Sequence, residues 1–277
     1  MRSVHGAENF RDEVEAAGLL VEVSMDLKQS PFQSAWFGTA LENVGLVDQR
    51  PYVGTYGQYE YDALPALPVS QDDAFGWLAD APKHERHIGS EQAAQGAGVL
   101  PKLIDACRSS AVTLPKSFVT FMGNLDLQAR VRSITGGFLD FVETPAPSPT
   151  GNGTLIRFLA DSQGCLFWYL YIPTGLSDHA VVCSGDIYGP ESDLRENAAD
   201  PDPDAIFFTA ESFEAFLCRF WIENELWLSE YQPTPMNDIC RQYLELYRNS
   251  PASHLLPHRH AISGRRASTC PNERRHP

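Results

Sequence analysis

At 277 residues, 43% hydrophobic and 11% aromatic, the chain has apolar material for one large domain or two ordinary ones without disulfide or metal staples. Its formal charge of −15 is uneven: five arginines against one glutamate give residues 251–277 a local +4, so residues 1–250 carry −19. A body that acidic repels phosphate backbones, which argues against nucleic-acid binding through the fold and suits a basic protein partner. No run approaches the ~20 apolar residues of a membrane helix, so no membrane partner is expected.

The first residues, MRSVHGAENFRDEVE, hold no apolar core of a secretory leader, and the cytoplasm is the default expectation. Residues 7–18 predict a short helix stopped by Gly18, and 19–27 a strand with partly alternating apolar positions. Over 34–46, Trp36, Phe37, Leu41, Val44 and Leu46 fall near one face and predict a helix. Tyrosine, glycine and proline dominate the next stretch, which reads as extended or hairpin structure over 53–63 and then a linker. Its tyrosines, Tyr52, Tyr56, Tyr59 and Tyr61, are candidates for a protein-contact surface, since a rigid ring gives contact area at low entropic cost; Tyr56, Tyr59 and Tyr61 are taken as candidate partner-binding residues. Residues 69–96 are polar and broken. The whole of 1–96 is read as an N-terminal extension or small α/β module.

From residue 97 the pattern becomes regular. VLPKLIDACRSS predicts a helix, and TLPKSFVTFM (113–122) a second one, with Pro115 suited to a first turn where its missing N–H costs nothing. GGFLDFVE (136–143) alternates as a strand does. TLIRFLAD (154–161) and GCLFWYLYIP (164–173), joined across Asp161-Ser162-Gln163-Gly164, predict a β-hairpin. Strands follow at 179–188 and in AIFFT, separated by an acidic, proline-bearing loop. Its carboxylates, Glu191, Asp193, Asp200, Asp202 and Asp204, are candidate partner-binding residues for a basic protein. After Thr209, a reasonable N-cap, AESFEAFLCRFWIENELW predicts a helix with one apolar stripe: Phe213, Phe216, Leu217, Phe220, Trp221 and Trp227. A last helix starts after Pro233 and Pro235, with Ile239, Tyr243, Leu244 and Tyr247 inward. Residues 250–277 lack periodicity and are expected to form a disordered basic tail.

No catalytic residue, metal or cofactor emerges. Six scattered cysteines without a CxxC pair read as buried thiols. Glu223 and Glu225, two apart, diverge on a helix and cannot act as an acid/base pair, whereas Arg219 and Glu223, four apart, suit a surface contact. His84-x-x-His87 and His258-x-His260 lack the further ligands zinc requires. Asp200-x-Asp202-x-Asp204 imitates a calcium loop, but Ala205 stands where the turn needs glycine, and Pro201 and Pro203 stiffen the arc. Ser177-Asp178-His179 are consecutive, so they cannot align as nucleophile, base and acid.

Three segments carry a family resemblance. LPKSFVTFM at 114–122, the hairpin LIRFLADSQGCLFWYLYIP at 155–173 and FFTAESFEAFLCRFWIENELW at 207–227 resemble the SUKH superfamily, the fold of the yeast cell-wall-assembly regulator and its bacterial relatives. The resemblance spans about 97–249 and leaves 1–96 outside. It implies an α+β domain, a mostly antiparallel sheet with helices packed on it, here with an N-terminal α/β extension. It also implies a non-enzymatic module that binds and blocks a cognate bacterial toxin, possessing no shared catalytic residues. The alternatives are a regulatory scaffold without a toxin, or an enzyme whose site is assembled from distant residues.

Overall fold

Two neighbouring strands of almost wholly apolar sequence organise the sheet. Residues 154–160 and 167–172 are buried along nearly their entire length and pair antiparallel, Leu155 opposite Tyr171 and Ala160 opposite Phe167. Their turn is built locally: Asp161 Oδ1 accepts the Gln163 N–H at 2.9 Å, and Gly164 takes the left-handed φ of +68° that side-chain-bearing residues rarely adopt. The computed structural model describes residues 30–70, 72–90, 98–140, 142–176, 178–189, 202–231 and 235–249.

Among the described residues the strands are β1 (Gln33–Ser34), β2 (Trp36–Gly38), β3 (Gly57–Tyr59), β4 (Phe138–Leu139), β5 (Ala146–Pro147), β6 (Thr154–Ala160), β7 (Phe167–Ile172), β8 (Ala180–Ser184) and β9 (Ile206–Ala210). The helices are α1 (Val99–Ser109), α2 (Lys116–Met122), α3 (Leu125–Gln128), α4 (Phe213–Leu228) and α5 (Asp238–Asn249). The main sheet runs β1-β9-β8-β7-β6-β4, with β5 also on β6; only β1 with β9 is parallel, and β2 and β3 form a separate antiparallel pair. The protein is therefore α+β with a mostly antiparallel sheet and packed helices.

Helix α4 holds these layers together. Its N-cap is Ser212, whose hydroxyl accepts the Ala215 N–H at 3.1 Å; Thr209, the sequence candidate, lies buried inside β9 instead. Phe213 is the hub of an aromatic cluster, with ring centroids 5.2 Å from Phe118, 5.8 Å from Phe121 and 5.4 Å from Phe158. One turn on, Phe216 meets Phe158 and Trp168 of the sheet and Trp36 of β2. Burial also extends to Glu214, Arg219, Glu223 and Asn224, so the helix has no solvent face over most of its length and is not the one-striped helix its apolar spacing predicts.

Residues 34–46 form no α-helix. Trp36 and Phe37 belong to β2, and a 3₁₀ turn at Glu42–Val44 ends at Gly45 with φ +82°. The two consecutive rings serve different partners, Trp36 on Phe216 and Phe37 on Phe207, and extended backbone sends successive side chains to opposite sides as this requires. Tertiary contacts override the helical spacing. The alternating run at 136–143 is likewise reduced to β4. Residues 32–88 do not make a core of their own: Phe32, Trp36, Tyr59, Phe75 and Leu78 join the same cluster as the sheet and α4, and β1 extends the main sheet. A boundary near residue 96 would therefore cut through this one cluster rather than separate two cores. The helix and strand expected before residue 28 and the basic tail lie outside the described residues.

Truncating Phe216 or Trp221 to alanine should cost roughly 3–5 kcal/mol, the range for large buried aromatics. Urea unfolding of the purified variants measures it; an unchanged midpoint would show that α4 is not the structural centre.

Candidate functional site

A carboxylate in the middle of a buried helix must be met by donors, because an isolated ionised group in the interior is very costly. Glu223 is 3% exposed, and its partners come from three distant parts of the chain. Arg50 approaches it bidentately, Nη1 to Oε1 and Nη2 to Oε2 both at 2.7 Å. Trp36 Nε1 donates to Oε2 at 2.8 Å, and the Tyr243 hydroxyl donates to Oε1 at 3.2 Å. That tyrosine accepts in turn from Arg219 Nη1 at 2.7 Å, which also donates to Pro65 O at 3.1 Å. The pair read as a surface contact from its four-residue spacing, Arg219 with Glu223, is thus buried and linked through Tyr243.

Aromatic faces complete the enclosure. The Arg50 guanidinium lies 4.2 Å from the Tyr59 ring centroid, and Arg219 lies 5.7 Å from Trp36 and 5.8 Å from Tyr61. Arg50 Nη2 further donates to Thr39 O at 2.8 Å. Gly38 makes room for the pair, since a Cβ there would overlap Arg50 Nη2, Trp36 Nε1 and Glu223 Oε2. Burial works against the charge of Arg50, but the Glu223 carboxylate, Tyr247 and Tyr59 together outweigh it and hold the guanidinium well above its usual pKa. For Arg219 burial is again the opposing effect, overcome by Tyr243, Tyr61 and Glu223. Burial raises the Tyr243 hydroxyl. Both guanidiniums and the Tyr243 hydroxyl therefore keep their protons across ordinary pH.

Beside this cluster lies a cavity of about 20 Å³, bordered by Trp36, Gly38, Tyr56, Trp168, Phe220 and Glu223. That is room for about one water molecule. Glu225, two residues on, faces elsewhere and accepts from Arg132 Nε and Nη2, both at 2.8 Å. His84 Nε2 stands 3.8 Å from Glu225, while His87 Nδ1 accepts the Gly89 N–H at 3.1 Å, so the two imidazoles serve separate local contacts. His179 Nε2 accepts the Phe213 N–H at 3.1 Å at the start of α4, a role for its ring outside any triad. Among the described residues no group of three or more His, Cys, Asp or Glu is arranged to hold a metal. Five cysteines there are free, four of them buried, and burial pushes the Cys107 thiol up to about 11 and Cys183 up to about 12.

The tyrosine expectation is corrected by burial. Tyr59 is fully enclosed beneath Arg50, and Tyr61 is buried with its hydroxyl donating to Glu211. Tyr56 is half-buried, its hydroxyl 2.9 Å from both Thr135 Oγ1 and Asp161 Oδ2. Their rings are already engaged: Tyr56 packs against Trp168, Tyr59 of β3 lies under Arg50, and Tyr61, in a 3₁₀ turn, meets Phe208. Tyr52, in contrast, is 72% exposed. Asp202 and Asp204 are exposed, and Asp202 Oδ1 caps a short 3₁₀ turn by accepting the Asp204 N–H at 2.9 Å. Glu191, Asp193, Asp200, Ser177, His258, His260 and Cys270 lie outside the described residues. What sequence reasoning missed is Arg50, whose only signal was a glutamate set among core residues of α4 that demanded a cation from somewhere.

The fold and this interior define the class: an α+β protein with a mostly antiparallel sheet, whose described helices include none long and apolar enough to cross a membrane. No protein-family model, no curated protein and no solved structure matches the chain.

Glu223→Gln should cost about 3–5 kcal/mol, because Arg50 is left buried without a counter-charge. The double variant Arg50→Met/Glu223→Leu should lose much less than the two single losses combined. A double-mutant cycle by urea unfolding tests both; additive losses would mean that the pair is not coupled.

Proposed function

We propose that the chain is a non-catalytic protein-binding module of the SUKH-like immunity type, which neutralises a cognate toxin by direct binding. The observation that carries this reading is the full engagement of the Glu223 carboxylate at the centre of the buried ionisable cluster. Glu223 already accepts from Arg50, Trp36 and Tyr243, so it has no lone pair to offer a substrate, and the adjoining space holds about one water. A general acid or base needs reach to a reacting group and a pKa near its working pH. The α+β architecture, the antiparallel hairpin and the Ser212-capped helix are in keeping with the resemblance read in the sequence.

The surface charge supplies the rest of the argument. A body of −19 attracts a basic toxin domain from a distance and speeds encounter, whereas a few desolvated anchors set the lifetime of the complex. The regulatory-scaffold alternative shares the same chemistry and differs only in the partner.

Co-expression with a panel of basic bacterial toxin domains should restore growth against one of them, and the two chains should co-purify; rescue from none and co-purification with none would refute immunity. Asp202→Asn/Asp204→Asn should slow association with that toxin several-fold at low salt and flatten its salt dependence. Stopped-flow measurement at two ionic strengths decides it, and identical rates would remove the acidic loop from the encounter.

A further inference from the structure

Exposed apolar side chains gather at one corner of the molecule. Val47 is 55% exposed, Tyr52 72%, Val53 40% and Tyr231 68%, while the other exposed large apolar residues among those described, Leu125, Leu176 and Leu246, lie on other segments. The corner is continuous through the turn at Glu42–Val44. Glu42 Oε1 accepts the Tyr52 N–H at 3.0 Å, and Asn43 Nδ2 donates to Trp227 O at 2.9 Å at the end of α4. Trp227 in turn lies 5.5 Å from the Tyr231 ring. On the far side Arg248 of α5 donates to Val44 O at 2.9 Å.

The corner is also fixed to the interior. Arg50 accepts from Leu41 N–H through its carbonyl at 3.0 Å and donates its own N–H to Leu46 O at 2.8 Å, and its side chain is clamped on Glu223. The loop that presents Val47, Tyr52 and Val53 is therefore tied down at Arg50, so little ordering remains to be done on binding. Three exposed carboxylates, Glu42, Asp48 and Glu230, rim the apolar residues. Apolar and aromatic anchors with a charged rim are what a specific protein interface presents.

We propose that this corner is the docking surface for a basic protein partner, with Tyr52 and Tyr231 as anchors and Glu42, Asp48 and Glu230 receiving lysine or arginine side chains. Charge selects the occupant: a second copy of this chain also carries −15 and would be repelled. Arginine fits best, since its planar guanidinium stacks on a tyrosine ring while bonding a carboxylate. The assignment rests on the protein-binding reading and deepens it by naming the surface. Dissociation is governed here, at the anchors, and encounter by the wider acidic field.

The experiment uses the full chain and, as probe, the purified toxin domain whose growth arrest the chain relieves on co-expression. Tyr52→Ala and Tyr231→Ala should each weaken binding by about tenfold or more, mainly through faster dissociation. Glu42→Gln, Asp48→Asn and Glu230→Gln should slow association at low salt and lose that effect at high salt. Leu176→Ser, an exposed apolar control, should bind like the unaltered chain, and unchanged melting of every variant excludes misfolding. Tight binding by both tyrosine variants would overturn the corner and leave the function intact. No binding by the unaltered chain would overturn the function and this assignment with it. A dimer dissolved by Tyr231→Ala, or cross-linking of Tyr52 to residues 251–277 in the free chain, would give the corner to another occupant and overturn the proposal.

Discussion

The ion pair between Arg50 and Glu223 is the constraint on which the arrangement of this protein depends. A glutamate embedded in α4 on a face packed by β2 and α5 requires a cation, and Arg50 supplies it with two hydrogen bonds of 2.7 Å. The consequences spread outward. Gly38 must lack a side chain, Trp36 must turn its indole N–H inward, Tyr59 must lie under the guanidinium, and Tyr243 must bridge to Arg219. Segments from three regions of the chain are thereby locked to one helix.

Such a network confers register more than net stability. Removing charges from water offsets most of the attraction between them, and apolar substitutes of similar volume can be as stable. What a bidentate pair adds is direction: Arg50 can occupy one position relative to Glu223, so the 42–53 loop has one position relative to α4. The same link that organises the interior thus sets the surface corner bearing Val47, Tyr52 and Val53.

The hairpin of β6 and β7, helices α1, α2 and α5, and the existence of α4 were legible in the sequence because their signals are local. Apolar residues recur at helical spacing in α5, and a turn tetrad with a glycine separates two apolar runs in the hairpin. The misreadings share one cause. Trp36 and Phe37 sit at helical spacing with Leu41 and Val44, yet each is claimed by a different remote ring, and the extended backbone of β2 follows. Thr209 and Ser212 are both competent caps, and the end of β9 decides between them. The tyrosines of 52–61 look alike in sequence; only packing separates exposed Tyr52 from buried Tyr59 and Tyr61.

By itself, then, the sequence determined the α+β class, the acidic body, the β6–β7 hairpin and the existence of α4, all properties of composition or of neighbours within a few positions. The tertiary structure alone decided that residues 32–88 share that core, that β1 adds in parallel to β9, and that Arg50 meets Glu223. Those two partners stand 173 positions apart. Side-chain periodicity reports which face of an element is apolar, not what that face will meet. A contact over such a separation is fixed by the desolvation cost of leaving either charge unpaired, which acts only after the chain has closed around both.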